Sequence, residues 1–290
     1  MTAAGGLATV AAAAALCGSG PLDILLTNDD GVGAAGIRAL RTQLEAAGHR
    51  VTVAAPDHNA SGTAMSFTWG SVRVTRDRAD PAVYSIAATP ATAVVLAATA
   101  LYPAGRRPDL VVSGINHGPN AGSLLVMSGT VGGALAGTLL LDPPVPGIAV
   151  NADRLDAALP ADAPPNRAQL EAAGAHLARL IGATRGWFCE DGRVARARTV
   201  LNVNYPGRPI AEVAGTVVAR QGSGTDLHLE FVPSGENEYR AEVSRSAPPA
   251  DHDSEEHWLG RGYVTVTPVS GAIDERGAPQ RDLERRLGSL

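Results

Sequence analysis

The 290-residue chain carries 29 acidic and 24 basic residues, a formal net charge of −5, and is 45% hydrophobic and 18% charged. Such a length holds one large α/β domain or a core with a smaller appendage, and the acidic balance argues against a nucleic-acid polymer as main partner. Every basic residue is Arg, which excludes lysine Schiff-base and P-loop chemistry.

Leu7 to Leu16 is an apolar run long enough for a signal h-region and too short to span a bilayer. Cys17-Gly18 sits where a lipoprotein would be cleaved, but Ala14 stands where such sites favour Leu, and no Arg precedes the run. Residues 1–20 therefore read as an Ala/Gly-rich extension, and the protein as cytoplasmic. The alternative is a signal segment and an exported protein. No other segment reads as transmembrane. Cys17 and Cys189 are too few and too far apart to suggest a disulfide framework or a thiolate metal site.

From residue 22 the pattern alternates strand and helix. Leu22–Leu26 is strand-like and runs into Thr27-Asn28-Asp29-Asp30-Gly31-Val32. Gly36–Ala47 puts Ile37, Leu40 and Leu44 on one helical face, with Gly48 as the stop. Arg50–Ala55 reads as a strand ending at Pro56-Asp57, and residues 66–88 as a β-ribbon. Thr89-Pro90 opens a helix to about Tyr102. Asp109–Val112 is a third buried strand, Ser128–Leu141 a Gly/Ala-rich helix and Gly147–Val150 a strand. After a loop at Asp153–Asn166, a helix carries Leu170, Leu177 and Ile181 on one side, and Val200–Val203 is again a strand. The expected fold is a Rossmann-like α/β core over 21–205, with a mostly parallel sheet and helices on both faces. Beyond Pro206 the chain turns polar and Gly-punctuated, so 206–290 reads as a strand-rich C-terminal appendage used for assembly.

The polar clusters fall at strand ends. The first strand ends in Asn28-Asp29-Asp30-Gly31, the second in Pro56-Asp57-His58-Asn59-Ala60-Ser61-Gly62, and the third in Ser113-Gly114-Ile115-Asn116-His117-Gly118-Pro119-Asn120. In open α/β sheets ligands bind outside the carboxyl ends of the strands, near a topological switch point. Adjacent buried carboxylates are costly unless a positive charge neutralises them. Asp29, Asp30, the Ser61 hydroxyl and the Asn116 amide are all oxygen donors, as Mg²⁺, Mn²⁺ or Ca²⁺ prefer; zinc would call for recurrent His or Cys. Ser128-Gly129-Thr130 opens a helix whose free N–H groups, hydroxyls and dipole suit a phosphate, although taken alone an ordinary Ser N-cap is the better reading of Ser128. Asn59 and Asn120 are further phosphate or outer-layer candidates, or turn residues. His117 and His58 are candidate proton donors. Asp251-His252-Asp253-Ser254-Glu255-Glu256-His257 looks like a metal site on paper but reads as a solvated, charged loop.

Together NDDG, PDHNASG, SGINHGPN and SGTVGGAL resemble the SurE-type metal-dependent survival-protein nucleotidases, closely from Leu22 to about Val150. The resemblance continues weakly through Leu201–Pro206 and Gly262–Pro268. It implies phosphomonoesterase action on nucleoside 5′-monophosphates, with 3′-monophosphates as a further possibility. It also implies one Mg²⁺ or Mn²⁺ per subunit, and a homodimer or homotetramer formed by exchange of C-terminal elements. Asp29, Asp30, Ser61 and Asn116 would be the metal ligands. Asp29, Asp30 and Asn116 would carry the chemistry, one aspartate acting as base or nucleophile. Asn59, Ser128, Gly129 and Thr130 would hold phosphate.

The chain departs from that pattern at Ser123-Leu124-Leu125, where acidic residues are usual, at Met127 in place of an aromatic, and at Ala136 in place of Glu. Ala88-Thr89-Pro90-Ala91-Thr92 also lacks the usual Gly and Asp. The departures at Ser123–Leu125, Met127 and Ala136 motivate one rival, a weakly active paralogue that binds nucleotide or metal; a second rival is a phosphatase of another small phosphoester or short polyphosphate. The absence of G-x-G-x-x-G after the first strand argues against a dinucleotide-dependent dehydrogenase.

Overall fold

A computed structural model of the chain describes residues 15–103, 105–223, 227–245 and 251–271. Up to residue 152 the elements are β1 (Asp23–Thr27), α1 (Ala35–Ala46), β2 (Arg50–Pro56), β3 (Val74–Arg76), β4 (Val83–Ile86), α2 (Pro90–Leu96), β5 (Leu110–His117), α3 (Gly129–Leu139) and β6 (Gly147–Ala152). There follow α4 (Pro164–Thr184), β7 (Cys189–Glu190), β8 (Arg193–Val194), β9 (Thr199–Tyr205), β10 (Gly215–Val218), β11 (Leu227–Gly235), β12 (Glu238–Arg245), α5 (Glu255–Gly260) and β13 (Tyr263–Ser270).

Side chains alternate across a strand, so a strand apolar at every position must be covered on both faces. In β1, Ile24 and Leu26 join one apolar cluster and Leu25 the other, and all three are fully buried. Ile37, Leu40 and Leu44 of α1, with Leu170, Leu177 and Ile181 of α4, pack on the first face. On the second face Ala91 and Val94 of α2 meet Leu25, Ala54 and Val111, while Val131 and Ala134 of α3 meet Ala149 and Val200. The expected α/β architecture, a mostly parallel sheet between helical layers, is the observed one.

Among the described residues the main sheet has nine strands in the order β10-β13-β9-β6-β5-β1-β2-β4-β3. From β9 through β4 all neighbours are parallel. Chain order reverses at β1, which has β2 on one side and β5 on the other. A crevice at the carboxyl ends of β1, β2 and β5 is therefore a switch point of the kind that binds ligands.

Three expectations need correction. The ribbon expected over 66–88 shrinks to β3 and β4, and β4 joins the main sheet beside β2. The helix from Pro90 widens into a π-helical turn over Ala97–Leu101. The boundary at 206 does not interrupt the sheet, because β13 pairs antiparallel with β9 and parallel with β10. The β-branched run Val264-Thr265-Val266-Thr267 is buried there and belongs to the core layer; of the C-terminal strands among the described residues, only β11 and β12 lie outside the main sheet.

Cys17 and Cys189, too far apart in sequence to suggest a disulfide, form one with Cα atoms 5.7 Å apart. Their separation of 172 residues hid the contact: Cys189 follows α4, which packs against the sheet face that also buries Leu16. Arg185 donates to the carbonyls of Ala15, Leu16 and Gly20. Residues 15–20 are thus docked on the fold and not a loose extension, and residues 1–14 of that expectation lie outside the described residues. A cross-link over so long a loop stabilises by up to about 5 kcal/mol in the chain-entropy model. Reduction with dithiothreitol, or Cys17→Ser, is expected to lower the thermal midpoint by several degrees; an unchanged midpoint would show that the bridge contributes nothing.

Candidate functional site

Asp29 and Asp30 leave the carboxyl end of β1, and Asn116 stands near the end of neighbouring β5. Between Ser113, opposite Ala149, and Asn116, opposite Asn151, β5 carries one more residue than β6, a bulge that re-aims the strand. Gly114 makes this possible: its φ is +135°, and a Cβ there would lie 2.2 Å from the Val150 carbonyl oxygen. The Asn116 amide nitrogen donates to the Gly118 carbonyl (2.9 Å), which leaves its oxygen as the end suited to a cation. Ser61 comes from the loop after β2. The Ala60 amide donates to the Asp29 carbonyl (2.7 Å), and the Asn59 side chain accepts from the Ser61 amide (2.9 Å). Asn59 thus shapes the turn that presents Ser61, whose residue is exposed.

The N-terminus of α3 closes the same crevice from the second face. The Ser128 hydroxyl accepts from the Val131 amide and caps the helix. Gly129 abuts Asp29: an added Cβ would sit 2.8 Å from the Asp29 carboxylate and 3.1 Å from the Ala60 carbonyl. Thr130 is fully buried and donates its hydroxyl to Asp29 Oδ1 at 2.6 Å. The expected residues therefore divide in two. Asp29, Asp30, Asn116, Gly129 and the Ser61 turn converge on one crevice, while Ser128, Thr130 and Asn59 are engaged in holding it.

Asp29 is only 3% exposed, and burial pushes its carboxyl above the usual range; the Thr130 hydrogen bond opposes this, and neighbouring Asp30 adds to it. No Arg answers this pair among the described residues; the nearest basic group is His117, with Nδ1 3.5 Å from Asp30 Oδ2. Asp30 Oδ2 and Asn28 Oδ1 are buried without a hydrogen-bond partner. Paired carboxylates, an amide oxygen and a hydroxyl, with orphaned oxygens among them, fit a hard divalent cation. Among the described residues no group of three or more His, Cys, Asp or Glu is placed to hold a metal ion. His58 turns away to Asp57, 2.7 Å from its Oδ1.

One part of the surroundings escaped the sequence reading. Glu255, expected in a solvated loop, is fully buried at the start of α5. Its Oε1 accepts from the Gly122 amide (2.9 Å), and its Oε2 from the Thr267 hydroxyl (2.9 Å) and, at longer range, from the Asn202 and Asn204 amides. The Asn120 side chain donates to Asn151, and that of Asn151 to Asn202. The available signal was three asparagines, 151, 202 and 204, within apolar strand runs, where such residues are depleted and must find partners. Burial, opposed by the donors, pushes the Glu255 carboxyl up from 4.5 to about 7. The folded state therefore keeps a proton that the unfolded chain has released, so stability from this group is lost as pH rises from 4.5 through about 7. In EDTA, the unfolding free energy of the wild type is expected to fall relative to Glu255→Gln across that window, on the order of 3 kcal/mol; a pH-independent difference would refute the assignment.

The family model for "Survival protein SurE" matches residues 24–226. The chain is 35% identical over 251 residues to 5′-nucleotidase SurE 1 of Burkholderia lata, covering 85% of this chain and 89% of that one. It is 38% identical over 258 residues to 5′-nucleotidase SurE of Rubrobacter xylanophilus, covering 85% and 90%. Its fold superposes on the crystal structure of the SurE protein from Aquifex aeolicus with a TM-score of 0.72 at 28% identity, over 92% of this chain and 99% of that one. With a matching family model, full-length relatives and a shared fold around the same strand-end loops, the chain belongs to the SurE family.

Proposed function

We propose that this protein is a divalent-metal-dependent phosphomonoesterase that hydrolyses nucleoside 5′-monophosphates to nucleoside and phosphate. The observation that carries this reading is the Asp29–Asp30 pair at a switch point beside the N-terminus of α3, with Asp29 buried and Asp30 Oδ2 without a hydrogen-bond partner. Asp29, Asp30, Ser61 and Asn116 are the residues that would hold Mg²⁺ or Mn²⁺, which when bound polarises a phosphoryl oxygen and acidifies a water. Thr130 fixes the rotamer of Asp29. Gly129 keeps the helix N-terminus close enough for its N–H groups and dipole to hold the other phosphoryl oxygens. Asp30, with one oxygen uncommitted, is the member of the pair suited to accept a proton. Phosphoryl transfer needs mainly positioning and charge neutralisation, and these residues supply both.

Two further assignments belong to this reading. A lone two-stranded hairpin is marginal in water, and β11–β12 exposes Leu229, Phe231 and Tyr239, which supports a homodimer or homotetramer that covers it. Light scattering coupled to gel filtration is expected to give a mass two or four times that of the chain; a monomer at micromolar concentration would reject this. Among the described residues no helix is long and apolar enough to cross a membrane. Of the two compartments, cytoplasm and export, the Cys17–Cys189 bridge favours export into an oxidising one.

Phosphate release from AMP and the other nucleoside 5′-monophosphates is expected with Mn²⁺ or Mg²⁺ and not with EDTA. Asp29→Asn should lower kcat/KM by about 10²–10³-fold, the scale of removing one electrostatic contact to the transition state. No release with any metal from a folded protein that still binds Mn²⁺ would reject the nucleotidase and favour the binding paralogue. Release only from non-nucleotide phosphoesters would favour the other phosphatase.

A further inference from the structure

The segment between β5 and α3 is held from outside by β6, β9 and the C-terminal part of the chain. Asn120 is gripped at three points: its amide donates to Asn204 Oδ1 (2.9 Å), its carbonyl accepts from Asn202 (2.8 Å) and Asn204 (3.2 Å), and its side chain donates to Asn151 (2.7 Å). Two residues on, the Gly122 amide donates to Glu255, and the Gly122 carbonyl accepts from the Gln221 side chain (2.9 Å). Glu255 is the hub, since its two oxygens receive donors from the loop, from β9 and from β13. The loop so held forms one wall of a cleft of about 300 Å³, lined by Pro119, Ala121, Leu124, Asp153, Arg208 and Glu256 among others. This cleft lies at the same strand-end edge as the crevice: Pro119 follows β5, Asp153 follows β6 and Pro206 follows β9.

We propose that Glu255 is a positioning residue for the reaction, holding the 119–127 loop as the wall of this cleft, and that the cleft takes the nucleoside part of the substrate while the crevice takes its phosphate. This rests on the nucleotidase reading and deepens it. The cleft has the mixed chemistry a nucleoside needs. Pro119, Leu124 and Leu259 offer apolar surface, and Asp153 and Glu256 add two carboxylates to the lining. Such an acidic pair accepts readily from sugar hydroxyls. Glu255 does not touch the substrate; its effect passes through the loop.

The test uses two variants and two substrates. In Glu255→Gln either orientation of the amide turns an NH₂ group toward a donor, Gly122 on one side or Thr267 with the asparagines on the other. Thr267→Val removes one donor and keeps volume and charge. For AMP, KM should rise about 10-fold in Glu255→Gln and about 3-fold in Thr267→Val. For p-nitrophenyl phosphate, which has no nucleoside, kcat/KM should stay within about 2-fold, a difference too small to reflect a lost hydrogen bond. Hydrogen exchange should accelerate within 118–128 while β1 and β5 stay protected. Equal losses on both esters, or no change on either from folded protein, would overturn the inference and leave the nucleotidase reading standing. So would faster exchange spread over the whole sheet with unaltered KM, the signature of a structural role alone. A wild type that releases phosphate from neither ester overturns both.

Discussion

Two adjacent carboxylates at the end of the central strand are the constraint around which the rest is arranged. Asp29 is buried with a single side-chain hydrogen bond, from Thr130, and with Asp30 beside it. Among the described residues no Arg supplies the positive charge that such burial calls for. Instead the structure brings up dipoles and oxygens. The N-terminus of α3 approaches Asp29 as closely as Gly129 allows, and the bulged end of β5 turns Asn116 toward the same crevice. A helix terminus placed against two carboxylates is favourable in itself, and more so when a cation and a phosphate complete the charge pattern.

The sheet and the crevice were legible in the sequence because each rests on local signals that agree. Apolar runs of strand length alternate with helical faces such as Ile37, Leu40 and Leu44, and each run ends in a loop of small oxygen-bearing residues. Such a pattern implies a parallel sheet, and a parallel sheet gathers those loops at one edge whatever the detailed strand order. The roles within the crevice were harder to read. Ser128 and Thr130 are both hydroxyls at a helix start, yet one caps the helix and the other holds Asp29. That difference lies in the direction of a side chain and not in its spacing.

What the sequence reading lost were contacts between distant segments. The Cys17–Cys189 bridge joins residues 172 positions apart, and no local pattern marks such a pair. The acidic run at 251–257 reads as solvated because six of its seven residues are Asp, Glu or His. Its middle is nonetheless drawn inward: the Ser254 hydroxyl caps α5, and Glu255 follows it into the core. The strand Tyr263–Ser270 similarly looked peripheral, since alternating Val and Thr fits an exposed edge as well as a buried strand. Its pairing with both β9 and β10 was decided by tertiary structure alone.

These long-range contacts change how the C-terminal part relates to the site. An appendage used only for assembly would have no reason to place a carboxylate under the loop that follows a candidate metal ligand. A buried glutamate with only donors around it is a costly device, and an apolar residue would pack there at less expense. A carboxylate can nonetheless gather Gly122, Asn202, Asn204 and Thr267 at once, which no apolar side chain can do. The geometry of the loop is thereby made to depend on β9, β13 and α5 together, so the cleft wall forms only when the last strand is in place. Coupling of this kind ties the shape of the candidate binding surface to completion of the fold, and it makes the C-terminal segment part of the site.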